Sequence, residues 1–594
     1  MWLNKNMDER AVNIFYMLKR KFVLLLDDVW KRLDILKLGV PLPDGNNVSK
    51  VVFTTRSEEV CGHMEAHRSI KMECLVTEKA LELFEKKVGE GTLNSHPSIP
   101  HFAEQVAAKC KGLPLVLTTT GRAMANKKDP TQWKRVVEIL KSYPSKVSGM
   151  VDEVFLILEF SYDCLPSATH KICFLYCSLF PEDHDIKKDE LVELWIGEGF
   201  LDEFDNIYEA RSEGEDIINC LKVACLLESN KTEDSVKMHD VIRDMALWVA
   251  CEHGEKPKFV VNDGSTEAYN VNLAKWKEAE RMSLWGSKSG DLPDEHFSPS
   301  LLTMLIRETK LETFPIGFFT SAQAIKVLDL SHNSALVELP AEIGELVNLH
   351  YLNLSYTGIR GLPIELKKLR SLRCFLLNNS LLLYFPTTVI SSLLSLQMFS
   401  KLMTGNEYSV YLRYDERILL QELACLGHLN DISIVLYSAS SVQVLLNSPQ
   451  LQKGIKFLRV VCHFNSFDSL LLNMLFLSLR SMERLEILEI SNFKSSESDQ
   501  EDNRVQGMLH EYIPDNSKLT GHDNICNLRI LLLIQCDMLD LTWLTHAPNL
   551  QSLKIVGCGL LEELIGEKFG AEQSQEVKWD VFGSLENLEL RILP

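Results

Sequence analysis

The sequence predicts a multidomain α/β plus α chain that ends in a repeat solenoid, and three observations carry that expectation. First, an apolar run closed by two carboxylates at residues 21–30 (KFVLLLDDVW) and a β-branched run at residues 50–56 (KVVFTTR) read as parallel strands of one sheet. Second, from about Thr77 to Leu140 the apolar positions fall three and four residues apart, as in Ala80, Leu83, Phe84 and Val88, which is the spacing of amphipathic helices, and residues 154–250 again read as mostly helical. Third, VLDLSHNSALVELPAEIGELVNL, YLNLSYTGIRGLPIELKKLRSL and CFLLNNSLLLYFPTTVISSLLSL align as leucine-rich repeats. Leu328, Leu352 and Phe375 lie 24 and 23 residues apart, and Pro340, Pro363 and Pro386 are each 23 apart.

Composition agrees with folded domains. The 594 residues are 46% hydrophobic and 24% charged, which excludes overall disorder. The net charge of −20 argues against a general nucleic-acid binder, whose phosphate contacts need a basic surface. That charge is uneven: residues 1–150 carry +7, residues 151–300 carry −18 and the remainder −9. A basic block followed by an acidic one predicts docking between the two, with a solvated charge pattern as the alternative. The 15 cysteines have no short fixed spacing, so a reducing, cytoplasmic compartment is expected rather than a disulfide framework. The N-terminus lacks a signal-peptide pattern, and the longest apolar stretch, residues 470–479, is interrupted by Asn473 and too short to span a bilayer.

Taken in order, residues 1–75 form a partial α/β domain with enough chain between its two strands for a crossover helix. Residues 76–150 form a helical subdomain. Residues 151–255 are helical apart from two short apolar segments within 221–238 (LKVACLLES and SVKMH), which predict a hairpin and hence a winged helix. Because this block is acidic, it reads as a protein-contact or regulatory module rather than a groove-binding one. Residues 256–300 read as a linker and 301–594 as the repeats. In the repeat strands Leu328 and Leu330 point inward while Val327, Asp329 and Ser331 face the concave surface. Tyr351, Asn353 and Ser355 are further concave-face candidates for partner contact, against a default of solvated surface. The rhythm loosens after about residue 400, and residues 495–504 (SSESDQEDNR) read as a solvated insertion. The last repeat stops at Pro594 after its strand, without a polar capping unit.

Several constellations could carry chemistry. Asp27 and Asp28 close an apolar strand, where one carboxylate can hold Mg²⁺ between phosphates and a neighbour can orient water, although acidic strand ends are common. Arg56 closes the second strand and would face the same crevice, or form a surface ion pair. Residues 110–117 (CKGLPLVL) put Gly-Leu-Pro at a helix boundary, and by pattern alone this is a helix break. His239 and Asp240 precede an amphipathic helix, and either could cap it. Cys61, His63 and His67 lack a fourth ligand for zinc, and Cys173 and Cys177 read as core.

The order LLLDDVW, FTTR, CKGLPL, CFLYCSLFPED, VKMHD and then leucine-rich repeats strongly resembles the plant nucleotide-binding leucine-rich-repeat (NB-ARC) disease resistance proteins. The tryptophan after LLLDDV and the CFLYCSLFPED wording are similar to the coiled-coil subclass. The resemblance covers nearly the whole chain. It implies a partial P-loop NTPase sheet, ARC1-like and ARC2-like subdomains and an ADP/ATP switch with Mg²⁺. By it, Asp27 is the magnesium ligand, Asp28 its catalytic companion and Arg56 the phosphate sensor. Pro114 and Leu115 would lie against adenine, and His239 would touch the β-phosphate of ADP. It further implies that the repeats restrain the switch and recognise a pathogen effector or a guarded host protein, that opened protomers oligomerise, and that the protein is intracellular, cytoplasmic or peripherally membrane-associated.

The chain departs from the family at one point. No G-x-x-x-x-G-K-[ST] motif occurs, and none of the 29 glycines is followed by lysine. The expectation is therefore a truncated receptor that lacks the coiled coil and the phosphate loop, with weakened ADP binding and no real enzymatic turnover. The rival readings are an NTPase completed in trans and a nucleotide-independent interaction or decoy protein. The exposed edge of the first strand would favour association.

Overall fold

The computed structural model describes residues 7–18, 21–27, 29, 31–41, 49–55, 57–142, 150–204, 206–230, 233–253, 256–262, 276–286, 292, 298–403, 416–462, 469–493, 525–537, 541–559, 561 and 583–591. The chain divides into two compact units, one of residues 1–77 with 111–113 and the other of 78–110 with 114–594.

In the first unit, helix α1 (Met7–Met17) precedes strands β1 (Val23–Leu26) and β2 (Lys50–Phe53), and α2 (Glu58–His63) follows. The strands are parallel, in register from Val23 opposite Lys50 to Leu26 opposite Phe53. The expected burial of both faces is not seen: Val23 and Leu25 are 64% and 72% exposed, and Val52 is 50% exposed. A parallel strand is buried on both sides only when cover lies on both faces, and among the described residues this sheet has two strands. The expected crossover helix is also not seen, since the described residues 31–41 form turns. Gly112, the glycine of the Gly-Leu-Pro segment, has φ +73°, and a Cβ there would lie 2.3 Å from the Leu75 carbonyl oxygen. Leu75 N–H in turn donates to Gly112 O at 2.9 Å. This backbone contact requires glycine for both its conformation and its closeness.

The second unit opens with α3 (Thr77–Val88), α4 (Glu90–Leu93), α5 (Ile99–Lys109), α6 (Pro114–Met124), α7 (Pro130–Ser142) and α8 (Met150–Asp163). Their core is apolar at helical spacing. Phe84 and Trp133, both fully buried, meet edge to face at 6.4 Å, and the Trp133 indole N–H donates to Lys127 O at 2.6 Å, so the ring carries no unpaired donor into the core. Pro114 begins α6, the position where its missing N–H costs nothing.

Next come α9 (Ala168–Cys177), β3 (Ile186–Lys187), α10 (Lys188–Glu198), α11 (Ile207–Val223), β4 (Glu228–Ser229), β5 (Ser235–Lys237) and α12 (Asp240–Ala250). The three strands form a small antiparallel sheet in the order β3-β5-β4, so helices plus hairpin make a winged helix. The hairpin is shorter than its sequence pattern, because Leu221–Val223 complete α11 instead. Cys173 and Cys177 are buried in α9, and desolvation pushes both thiols up, as core placement requires.

The remaining strands build one 13-stranded parallel sheet. They are β6 (Phe259–Asn262), β7 (Arg281–Trp285), β8 (Thr303–Arg307), β9 (Val327–Asp329), β10 (Tyr351–Asn353), β11 (Cys374–Leu376) and β12 (Met398–Lys401). After them follow β13 (Asp431–Leu436), β14 (Ile455–Val461), β15 (Ile487–Ser491), β16 (Ile530–Ile534), β17 (Ser552–Val556) and β18 (Asn587–Arg591). Leu328, Leu330, Leu352 and Phe375 all enter one continuous core, as alternation along each strand dictates.

Two expectations about this region are corrected. Residues 256–300 are not simply a linker, because they contribute β6 and β7 to the repeat sheet. Where the sequence rhythm loosens after residue 400, the sheet continues unbroken; helices such as Glu416–Ala424 and Ala439–Leu446 take the place of short 3-10 turns, which lengthens the repeat and hides its period. Residues 495–504 lie outside the described residues.

Candidate functional site

Three places in the fold bear on function. The first is the carboxyl edge of the β1–β2 sheet, where α/β proteins bind ligands. The Thr54 N–H donates to Leu26 O at 3.0 Å and the Val29 N–H to Thr54 O at 2.8 Å, continuing the ladder one step past the strands. This holds Asp27 at the edge, exposed, with Oδ1 accepting a hydrogen bond from the Thr54 hydroxyl. A solvent-facing carboxylate at a strand end, oriented by a hydroxyl, is suitable for a hydrated divalent cation. Asp28 and Arg56 lie outside the described residues. Cys61, His63 and His67 form no metal cluster: among the described residues no group of three or more His, Cys, Asp or Glu could hold a metal ion.

The second place is a cavity of about 580 Å³ in the second unit. Pro114, Leu115 and Thr118 from the start of α6 line it, with Lys222, Val223 and Cys225 from the end of α11 and Leu227, Glu228 and Ser229 from β4 and its approach. Proline and leucine faces opposite a valine and a leucine offer an apolar slot, while Thr118, Glu228 and Ser229 supply polar groups at its rim. The volume lies in the range of small-molecule sites. Sequence reasoning found Pro114 and Leu115 but not the α11 and β4 residues, which are a hundred positions away and carry no motif. His239 is exposed and is not part of this lining; it occupies the N-cap of α12, where Nδ1 accepts the Val241 N–H at 3.3 Å. The capping role read from the sequence is therefore present at His239.

The third place is the contact between the winged helix and the repeats. α10 lies over β9 and β10, on the sheet face turned away from the repeat core. Gly197 makes this approach: a Cβ there would sit 2.9 Å from Tyr351 Cβ and 3.0 Å from Val327 Cγ2. The last carbonyls of α10 are received by repeat side chains. Lys326 Nζ donates to Glu198 O at 3.1 Å, and His350 Nδ1 lies 2.9 Å from Gly197 O. Both satisfy acceptors that a helix end leaves open, and the lysine also opposes the helix dipole.

Charge pairing surrounds that contact. Arg281 holds Glu198 bidentately at 2.8 and 2.9 Å with both side chains buried, and the Thr303 hydroxyl bonds the same carboxylate. Arg307 bridges Asp329, at 2.5 Å, and Glu190. Arg211 of α11 joins Glu193, at 2.6 Å, to Asp431, and the Tyr208 hydroxyl donates to Asp431 Oδ1 at 2.8 Å. Arg373 meets Asp202 at 2.6 Å. Burial pushes the Glu193 carboxyl up and Arg211 opposes that shift. Glu190 and Asp202 of the acidic block thus pair with Arg307 and Arg373 of the repeats, and Arg211 of that block with Asp431, a partner that the sequence expectation of docking on residues 1–150 did not name. The concave-face expectation is corrected too. Val327, Asp329, Ser331, Tyr351, Asn353 and Ser355 are all buried, so they are not a solvated surface open to a partner.

A pH dependence follows from His350. Burial holds its pKa below the ordinary 6.5, and an Nδ1 that bonds Gly197 O must carry the proton, leaving Nε2 free. A depressed folded pKa means that the contribution is fully present above 6.5 and is lost as pH falls through the folded value. Denaturant midpoints should therefore decline on acidification below that pH. His350→Gln should flatten the decline, and an unchanged profile would remove the histidine from this account.

Comparison with known proteins places these features. The NB-ARC domain family matches residues 1–94, and the disease resistance protein winged helix domain family matches residues 179–246. A probable disease resistance protein of Arabidopsis thaliana is 36% identical over 596 residues, covering 99% of this chain and 68% of that protein. The chain belongs to the plant disease resistance proteins. Another probable disease resistance protein of that plant is 38% identical over 584 residues, and disease resistance protein RPS5 is 37% identical over 600. These matches cover 97% and 99% of this chain, which spans only 63% and 64% of the length of those two relatives. Among solved structures, a leucine-rich-repeat protein of Leptospira interrogans is similar at 18% identity with a TM-score of 0.34, covering 53% of this chain and 73% of that one. In this resistance-protein chain the NB-ARC match contains the β1–β2 edge, and the winged-helix match contains α10 and α11, two of the helices that meet the repeats. No described helix is long and apolar enough to cross a membrane.

Proposed function

We propose that the chain is the greater part of an intracellular immune receptor of the adenine-nucleotide switch type, with the winged helix held against the repeats in its resting arrangement. The domain limits proposed are a nucleotide-binding part at 1–75, a helical subdomain at 76–150 and a winged helix at 151–255, followed by the repeats. The observation that carries the reading is the cavity framed by α6, α11 and β4, because it joins the start of the Gly-Leu-Pro helix to the winged helix around a largely apolar space large enough to admit a base.

In this reading Pro114 and Leu115 pack on the faces of adenine, and Thr118 and Ser229 meet its polar edge. Asp27 takes Mg²⁺, Asp28 orients water, Arg56 senses the terminal phosphate, and His239 reaches the β-phosphate. Bound nucleotide supplies the charge difference between a diphosphate and a triphosphate, and the protein's part is to read that difference and transmit it. The polar rim of the α10 contact is suited to that transmission, since arginine and carboxylate partners are lost together when the surfaces part. Recognition of an effector or host protein falls to repeat surface that α10 leaves uncovered, and a change in the winged helix would precede oligomerisation.

Because no Gly-Lys phosphate loop occurs within the 594 residues, base contacts should dominate the affinity of this polypeptide. Calorimetry should find adenosine and ADP binding with similar, weak affinity, and Leu115→Glu should abolish both. In a version that carries the phosphate loop, His239→Ala should shorten ADP retention. Binding untouched by Leu115→Glu would refute the cavity assignment. Absence of any binding would favour the nucleotide-independent interaction reading, and turnover that rises with protein concentration and disappears in Asp27→Ala would favour an NTPase completed in trans.

A further inference from the structure

None of the 15 cysteines is in a disulfide, and two of them stand together on consecutive repeats. Cys536 follows β16 and Cys558 follows β17, strands paired in register up to Ile534 opposite Val556. Each cysteine comes two residues after that last pair. Each is preceded by a residue in the left-handed region, Gln535 at φ +55° and Gly557 at φ +69°, so the two strands end in the same turn and send both thiols into the repeat interior. Neighbouring strands lie about 4.8 Å apart. That falls inside the roughly 4.4–6.8 Å separation of Cα atoms that a disulfide accepts.

The two residues are already in contact. The Cys536 N–H donates to Cys558 Sγ at 3.4 Å. In the reduced state each sulfur also rests against backbone carbonyls: Cys536 Sγ donates to Ile490 O at 3.4 Å and Ile534 O at 3.5 Å, and Cys558 Sγ to Leu533 O at 3.8 Å and Val556 O at 3.7 Å. The two sulfurs differ in character. Hydrogen bonds from the Cys536 thiol and N–H hold Cys558 down to about 7, whereas its role as donor and its burial push Cys536 well up. One member of the pair is therefore the nucleophile and the other the resolving thiol.

We propose that Cys536 and Cys558 form a peroxide-sensitive modification site, closing a reversible disulfide that staples two consecutive repeats. The Cys558 thiolate attacks hydrogen peroxide, forming an S–O bond as the O–O bond breaks, and the departing hydroxide takes a proton to become water. Cys536 then attacks the sulfenic sulfur. The S–S bond forms, the S–O bond breaks, and the leaving hydroxide accepts the Cys536 proton as a second water. Two thiols are oxidised while one peroxide is reduced. A dithiol reductant reverses the change by exchange.

The test uses the intact 594-residue chain, treated with hydrogen peroxide under folded conditions, then alkylated in denaturant and digested without reductant. The expected result is a single dominant crosslinked peptide joining Cys536 to Cys558, two hydrogens lighter than its reduced parts, with loss of alkylation at these two positions and full recovery after dithiothreitol. Exposed Cys74, Cys425 and Cys526 provide the internal standard for reaction by accessibility alone. If those are oxidised while Cys536 and Cys558 remain alkylatable, or if Cys558 ends as sulfinic acid with Cys536 still free, the proposal is overturned. Cys536→Ser supplies a second arm: sulfenic acid should accumulate at Cys558 and be trapped by dimedone, and failure to trap it in a folded variant would contradict the assigned nucleophile.

Discussion

Gly197→Leu is expected to lift α10 off the repeat sheet, the largest conformational effect available from one substitution in this fold. The Cβ alone would meet Tyr351 Cβ at 2.9 Å and Val327 Cγ2 at 3.0 Å, and the strands beneath cannot recede because their inner faces fill the repeat core. Overpacking of this kind costs about 1–3 kcal/mol, and roughly 3 kcal/mol moves a closed-to-open equilibrium by about 100-fold. The substitution lies at the interface, so both the winged helix and the repeats should remain folded. Hydrogen exchange should rise together in α10, β9 and β10 while the interior of the repeats stays protected. The buried ion pair of Glu198 with Arg281 and the half-buried hydrogen bond of Gly197 O with His350 would be lost in the same opening. Unchanged exchange in β9 and β10 would show that the contact tolerates the added volume and does not control opening.

Arg307→Met should be the most costly charge removal. Arg307 is buried between Asp329, which is fully buried, and Glu190, with its guanidinium 4.8 Å from the Trp285 ring centre and 5.7 Å from that of Phe180. Removing one partner of a buried pair leaves a carboxylate without its counter-charge, a loss of about 3–5 kcal/mol. Asp329 retains the Ser331 N–H at 2.9 Å and the Asn353 side-chain amide at 3.0 Å, which lessens the loss without replacing the charge. The double variant Arg307→Met with Asp329→Asn should recover part of it, because the amide removes the stranded charge. Denaturant unfolding of the repeat transition measures both, and equal stability of the single variant and the parent would contradict the account.

Much of the fold was legible in residue patterns. Period-two alternation in the repeats placed Leu328, Leu330 and Leu352 inside, and the run at 23–26 named a parallel strand. The helix cap at His239 was open to local reasoning because capping is a local interaction. Two strands were missed in residues 256–300, where no repeat-length alignment marks Phe259–Asn262 and Arg281–Trp285. Arg281 opens β7 and Arg307 closes β8, opposite ends of neighbouring strands, so no repeat spacing in the sequence linked them. In the candidate site, Pro114 and Leu115 were visible as part of a motif, whereas Lys222, Val223, Cys225 and Glu228 were not, because only packing brings the end of α11 beside the start of α6.

Periodicity and motif order therefore determine the family, the order of the motifs and the inward side of the strands in the aligned repeats around residues 327–376, since these depend on neighbours along the chain. The covering of one repeat face by α10, the pairing of acids with repeat arginines and the closure of the α6–α11 cavity belong to the tertiary structure. They join residues one to two hundred positions apart. Asp329 looks the same in sequence whether it is solvated or buried, and only the tertiary packing that sets Arg307 beside it and α10 over this face decides which.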